Sequence, residues 1–369
     1  MPLYDDAERL RRALLSRSDE TMRMLAEAYG VIYRDSVTEL RSLMDTLRTQ
    51  FGAAEVVDEE TFMRTRRLRL LMEQIEQRLV QYSEFASLTI ENALRREAQQ
   101  AQRDAELLLR AVVDEGLAPD LPPQLRREAV DEVLRAFSRL PQTATEFEIG
   151  IMADGTTLRD YFLRGTARMP PLPVQVVNRL REQLSFALAV GWGPERTARE
   201  LRDGLGIGLD RALRIARTEQ LRAYRETSRW AYRSYGIQSW RWIASLDRRT
   251  CMACLLLDGR VFSIEEPQKA HVNCRCTMVP AIPGIDVTQR RRARGEEDRY
   301  EFFEGTGEQW FLSRSEALQR EMLGEAKYEA WRRGEIRLQD LIRAHEHPDF
   351  GVSYVEAPLS ALLPGRVGG

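Results

Sequence analysis

All four cysteines of this 369-residue chain, and one of its three histidines, fall between positions 251 and 276. They read Cys251-Met-Ala-Cys254, then sixteen residues, then His271-Val-Asn-Cys274-Arg-Cys276. A Cys-x2-Cys pair puts two thiolates on one tight turn, and a second Cys/His cluster beyond a hairpin can complete a tetrahedron around one ion. Soft thiolates with an imidazole and no redox demand suit zinc in a structural role. Five candidate ligands compete for four places, so the set is three thiolates with His271 or all four cysteines. Disulfides or plain thiols are the competing readings of the same spacing, and a reducing cytosol weighs against the first. A structural zinc would supply on the order of 10 kcal/mol to a unit this small.

A catalytic zinc needs an open coordination position with a carboxylate beside it, usually on a His-x-Glu or His-Glu-x-x-His element. Neither element occurs, and the other histidines, His345 and His347, lie far along the chain and read as surface residues. The sequence therefore points to a structural site and to no catalytic residue.

The elements that must position this cluster are mostly helices. Residues 1–118 contain no proline after Pro2, and apolar residues recur at helical spacing at Leu68, Leu71, Ile75, Leu79, Tyr82, Ala86, Ile90 and Leu94. The Arg-, Glu- and Gln-rich stretch Asn92 to Arg110 reads as a solvated helix face, with a partner-docking arm as the sharper alternative. Three prolines between Gly116 and Pro123 mark a boundary, and residues 124–206 read as shorter helices broken at Pro141, Asp154-Gly155 and Met169 to Pro173. A brief helix spans Pro194 to Leu205, and Gly204, Gly206 and Gly208 free the chain to turn. Asp210 then caps a long helix to about Tyr235, with Gly236 as its left-handed stop.

Beyond Gly236 the period changes to two. Ser239 to Ala244 has the aromatic alternation of a strand, with Trp240 and Trp242 on one face in packing roles, and Asp258-Gly259 is a turn leading into a second short strand.

The formal net charge of −2 gives no general pull toward nucleic acid or an anionic membrane, so any basic surface is local. The strongest local excess lies between Arg211 and Arg249, with ten arginines against three acidic residues. Arg211, Arg214, Arg222, Arg225, Arg229 and Arg233 are candidates for contact with DNA or another anion, against the alternative that they fan over several faces and pair with acids elsewhere. The N-terminus lacks a secretory pattern and no stretch approaches the ~20 apolar residues of a spanning helix, so the expected setting is a cytosol or a particle assembled in it, with no membrane partner.

Taken in order, Ile215-Ala216-Arg217-Thr218-Glu219, the strand with Trp240 and Trp242, Asp247-Arg-Arg-Thr-Cys251-x2-Cys254-x3-Asp258-Gly259 and His271-x-Asn273-Cys274-Arg275-Cys276 resemble the phage head-morphogenesis family that includes the Mu F protein. The resemblance covers about 170–282. Gly307-x2-Trp310, Gln319-x3-Leu323-Gly324 and Gly334-x4-Gln339-Asp340-Leu341 are similar to a tail often found in such proteins. Val272 stands where the family commonly has proline, a departure that removes no ligand. The resemblance implies a minor capsid component of a tailed bacteriophage, present in few copies in the virion head near the portal vertex and assembled in the host cytoplasm. Its implied partner is the portal protein, with scaffold or major capsid protein and the packaged DNA as further candidates. Arg217, Thr218 and Glu219 match the family's most recognisable helical motif and are expected to be structural. A zinc-containing DNA-binding protein or nuclease is the alternative.

After Pro283 the charged run Gln289 to Arg299 reads as a linker. Ser313-x2-Glu316 reads as a capping box opening a helix to about Arg332, and a second helix is expected at Leu338 to Ala344. A fused ADP-ribosyltransferase would need an Arg, a Ser-Thr-Ser-like strand and a Glu-x-Glu element, a set this tail lacks. The expected fold is mainly α, with long N-terminal helices (1–118), a helical middle region (119–206), a core with a small β-hairpin Cys/His metal knuckle (207–285), a charged linker (286–300) and a small, mostly helical C-terminal subdomain (301–369). Replacing Cys251 and Cys254 together with Ser is expected to unfold the 237–282 unit and spare the N-terminal helices. Protease cleavage confined to that unit, with helical circular dichroism retained, is the readout.

Overall fold

The computed structural model describes residues 3–51, 66–116, 156–165, 170–189, 194–282, 290–295, 299–347 and 349–363. It is mainly helical with small antiparallel sheets, as the sequence leads one to expect. The breaks expected at Pro119 to Pro123, Pro141 and Asp154-Gly155 lie outside the described residues, as does the end from Pro364. No described helix is long and apolar enough to cross a membrane.

The helices are α1 (Leu3–Phe51), α2 (Arg66–Gly116), α3 (Leu158–Leu163), α4 (Leu172–Ala189) and α5 (Pro194–Ser234). Contacts divide the chain into two units, one of Met1–Arg17, Leu94–Ile149 and Gln220–Gly369, the other of Ser18–Ala93 and Gly150–Glu219. The long helices α1, α2 and α5 contribute to both.

In the second unit, whose described elements are helices, the buried Tyr29 of α1 meets Tyr82 of α2 edge-on, with ring centroids 4.8 Å apart, and its hydroxyl donates to the Leu205 carbonyl at 2.5 Å. The expected break between Leu205 and Asp210 is absent, because α5 is continuous from Pro194 to Ser234 and Asp210 lies inside it. Two of its glycines, Gly204 and Gly208, serve close packing instead of turning, while Gly206 has open space around it. A Cβ at Gly208 would sit 2.7 Å from the Tyr29 hydroxyl and 3.0 Å from Val176. The helical hydrogen bonds outweigh the glycines' roughly 1 kcal/mol penalties because the neighbouring helix needs that close approach.

In the first unit α5 ends as expected, with Gly236 at φ 78° and the Ile237 amide returning to the Tyr232 carbonyl at 3.0 Å. Strand β1 (Ser239–Ile243) follows, then the short helix α6 (Met252–Leu257), β2 (Val261–Ser263) and β3 (Thr277–Ala281). The sheet has the order β2-β1-β3, and both pairings are antiparallel, with Trp240 opposite Phe262 and Pro280, and Trp242 opposite Met278. Alternation sends Trp240, Trp242 and Met278 into one core with Ala105 and Leu109 of α2 and Tyr232 of α5. On the other face Ile243 and Val279 meet Leu3, Tyr4 and Ala7 of α1 and Leu108 and Val112 of α2.

The later part departs from the sequence reading in three places. The expected linker contains a β-hairpin, β4 (Arg290–Arg294) against β5 (Tyr300–Glu304), with Ala293 and Phe303 on the face turned to the core. Its charge density hid a period-two pattern. The helix expected from Ser313 is two, α8 (Glu316–Leu323) and α9 (Glu325–Arg332), split at Gly324 (φ 74°), while Ser313 closes α7 (Gly307–Leu312) and Ser315 caps α8. The helix expected at 338–344 is a 3-10 turn, Leu338–Leu341, running into β6 (Ile342–His347), which pairs with β7 (Gly351–Glu356); α10 (Leu359–Leu362) follows. Cross-strand pairing with β7 overrides the short helical pattern.

The tail does not pack as a separate body. Met252, Leu255 and Leu256 of α6 share a core with Trp310, Phe311, Leu323 and Tyr328, while Cys254 and Leu257 of the same helix face the tryptophan core. Asp258 ties the parts together, accepting from the Ala244 amide at 2.7 Å with one oxygen and from the Gly307 amide at 2.8 Å with the other. At Gly307 a Cβ would meet the Leu255 carbonyl oxygen at 2.4 Å, a contact with backbone that cannot relax by a rotamer change. Gly307→Ala is expected to destabilise the first unit by about 1–3 kcal/mol, read as a lower denaturant midpoint.

Candidate metal centre

Cys251 is the N-cap of α6, with extended dihedrals (φ −66°, ψ 154°), and Cys254 follows one turn later. The approach to Cys251 is fixed by a tight turn in which the Asp247 carboxylate accepts from the Arg249 amide at 2.9 Å and the Thr250 hydroxyl donates to the Ser245 carbonyl at 2.7 Å. Against the burial that would raise it, bonds from Ser245 and the Arg249 amide hold the Asp247 carboxyl below its ordinary range.

The second cluster sits on the turn entering β3. The Cys274 amide donates to the His271 carbonyl at 3.0 Å, and Asn273 takes the left-handed conformation (φ 61°) that asparagine tolerates better than most residues. The backbone just before it is held by the tail. The Tyr354 amide of β7 donates to the Lys269 carbonyl at 2.7 Å, and Ala270 and Tyr354 form a parallel bridge.

These elements bring the five side chains together in two groups that share one member, Cys251, Cys254 and His271, and Cys254, Cys274 and Cys276, with all donor atoms in each group within 4.8 Å of one another. His271 Nε2 lies 3.3 Å from both the Cys251 and Cys254 sulfurs, and the Cys254 and Cys274 sulfurs are 3.7 Å apart. Ligands at zinc's usual bond lengths in a tetrahedron stand about 3.6 Å (sulfur to nitrogen) and about 3.8 Å (sulfur to sulfur) apart, so these three edges are near the spacing of ligands on a small ion, and either group of three could hold one. All four cysteines are free thiols, and a 3.7 Å separation is far from a disulfide bond.

The His271 Nδ1 donates to the Val272 carbonyl at 2.8 Å, which assigns the proton to that nitrogen and turns the Nε2 lone pair toward the sulfurs. Cys254, Cys274 and Cys276 are each no more than 3% exposed, in the core that holds Trp240 and Trp242. Without an ion, protons are shared unevenly. The hydrogen bond from Cys254, followed by the one from His271, lowers the Cys251 thiol to about 5 against the opposing effect of burial. Against burial, which would lower it, the imidazole of His271 is raised to about 11 by its bonds to Cys251 and Cys274. Cys254 is pushed up, first by its bond to Cys251 and then by those to Cys274 and Cys276. A thiolate on Cys251 thus faces an imidazolium on His271, and a cation bound here would displace that proton.

Sequence reasoning missed the supports. Arg225 of α5, 4% exposed, donates to the carbonyls of Cys274 at 2.7 Å and Cys276 at 2.9 Å. Glu356 of β7 accepts from the Met252 amide at 3.3 Å and pairs with Lys327. Neither carries a local signal, since each partner lies at least 29 positions away.

The remaining singled-out residues are placed as follows. Arg217 pairs with Asp19, and Thr218 and Glu219 are buried, all in the second unit. Arg211 is buried, donates to the carbonyls of Pro170 at 2.9 Å and Tyr161 at 3.2 Å, and lies over the Tyr161 ring. Arg229 binds Glu226 and the Ile264 carbonyl, Arg233 pairs with Glu265, Arg222 is half-buried and Arg214 is exposed. His345 is exposed on β6, and His347 half-buried beside Asp349. Because Cys254 belongs to both donor groups, the metal-to-protein ratio across single Ser or Ala variants of the five donors is expected to fall furthest for Cys254→Ser. It should fall least for whichever donor stands outside the tetrahedron.

Residues 178–279 match the family described as Phage Mu protein F like protein, a segment that runs from α4 through the metal centre to β3 and bears out the resemblance carried by the sequence motifs. No curated protein and no solved structure matches the chain.

Proposed function

We infer that this chain, with its Phage Mu protein F like segment, is a minor head protein of a tailed bacteriophage that acts at the portal vertex in capsid assembly or in packaging and ejection of the genome. The observation that carries the reading is the family match over 178–279, which takes in the cysteine cluster and the sheet that holds it. The partner this reading assigns is the portal protein, with scaffold or major capsid protein as a second contact, and the location is the virion head after assembly in the host cytoplasm.

The cluster supports a structural part for a metal in this function. Three of its donors are buried and two half-buried, and the five outnumber the places of a four-coordinate ion, an arrangement that suits a structural more than a catalytic site. Cysteine thiolates with one imidazole favour zinc. Bound there, the ion would join α6 to the turn before β3, and so join the two cores that meet on α6. The reading assigns the ion a non-catalytic role.

Contact with packaged DNA through α5 is the weaker reading. Arg211 and Arg225 are buried and donate to carbonyls, and Arg229 binds Glu226 and a carbonyl in its own unit, so part of the counted basic excess is withheld from phosphate. Co-purification with the portal protein at two salt concentrations after nuclease treatment distinguishes the readings. Retention on portal without DNA is expected; association only through DNA, released by salt, would replace this reading with the nucleic-acid one.

A further inference from the structure

Among the arginines of α5, Arg225 differs in what it binds. Its guanidinium, 4% exposed, spans the carbonyls of Cys274 and Cys276, two donors flanking a single residue on the turn that enters β3. We propose that Arg225 is a positioning residue for the metal centre, setting the backbone of the His271–Cys276 turn so that its sulfurs meet those of α6. The inference rests on the metal reading above.

The physical basis is the planar fork of a guanidinium. Two donors in fixed geometry hold two carbonyls at one separation and one tilt, which fixes the Cα–Cβ directions of both cysteines between the α5 side and the sheet. A lysine in the same place offers a point charge that satisfies one carbonyl well and leaves the other to rotate. With neither, two buried carbonyls lose their partner, and the turn relaxes away from the sulfur of Cys254, 3.7 Å from that of Cys274. Groups supporting metal ligands in this way contribute about 10- to 100-fold to metal affinity when removed singly. Arg229 is the internal control. It lies one turn along α5 and donates to the Ile264 carbonyl at 2.7 Å in the same region, on a residue that is no candidate ligand.

The test uses full-length protein, wild type beside Arg225→Met, Arg225→Lys and Arg229→Met. Zinc affinity is read by competition with a chromophoric chelator, and ligand geometry by the d–d bands of the cobalt(II)-substituted protein. The expected result is zinc held about 10- to 100-fold more weakly by Arg225→Met, with shifted cobalt bands, an intermediate loss for Arg225→Lys, and both readouts unchanged for Arg229→Met. Should Arg225→Met fail to fold, Arg225→Lys carries the same comparison. Wild-type affinity and an unshifted spectrum in the Arg225 variants, or an equal loss in Arg229→Met, would overturn the positioning role while leaving the metal reading intact. A wild-type chain that takes up neither zinc nor cobalt would overturn both.

Discussion

The constraint on which the first unit depends is the burial of three thiols, Cys254, Cys274 and Cys276, in the core of two tryptophans, with Cys251 and His271 half-buried. Polar or ionised groups moved from water into such a core cost several kcal/mol each unless paired. Here the pairing is mutual, sulfur to imidazole and sulfur to sulfur, with negative charge drawn onto Cys251 and positive charge onto His271. A four-coordinate cation in place of the shared protons would satisfy four of the five donors at once. Everything around the cluster then serves to hold two short pieces of backbone in register: the Asp247 turn and Glu356 at the start of α6, and Arg225 and the Lys269–Tyr354 bond at the second turn.

Helix α6 is the mechanical consequence. All six of its residues are buried, which a helix this short achieves only when it is covered on every side. The face that carries Cys254 and the face that packs on the tail are therefore the two sides of one element. This accounts for the Asp-Gly pair that follows it. Asp258 caps α6 and accepts from the amides of Ala244, just past β1, and Gly307 of α7, and Gly259 takes the left-handed turn (φ 82°) that sends the chain into β2. The glycine at 307 answers a different demand, since α7 can approach α6 closely only with no side chain there.

What the sequence disclosed followed the range of the forces involved. The helical periodicity of α2, the stop at Gly236, the strand with Trp240 and Trp242 and the clustering of the cysteines are all written in patterns spanning a few residues, and all were legible. The continuous α5 was not, because its glycines look like a hinge until Tyr29, far away in sequence, is seen to fill the space left at Gly208. The hairpin of β4 and β5 was hidden by arginine density, although Ala293 and Phe303 lie on one face. β6 and β7 stabilise each other, and neither reads as a strand alone. At the metal site the donors were visible, but their supports were not, since Arg225 and Glu356 act across long sequence separations.

The arginines of α5 show why a local charge count is a poor guide to partners. A guanidinium is weakly hydrated and carries five donors in a rigid plane, so it can enter a partly buried site and bind carbonyl oxygens where an ammonium would not. Arg211 does so with two carbonyls and an aromatic ring in one unit, and Arg225 does so with the backbone of the cysteine turn in the other. Charge spent in this way is screened from any phosphate by the protein that surrounds it. A basic stripe in sequence thus becomes internal scaffolding in three dimensions, and the surface left for partners is set by which arginines the fold leaves over.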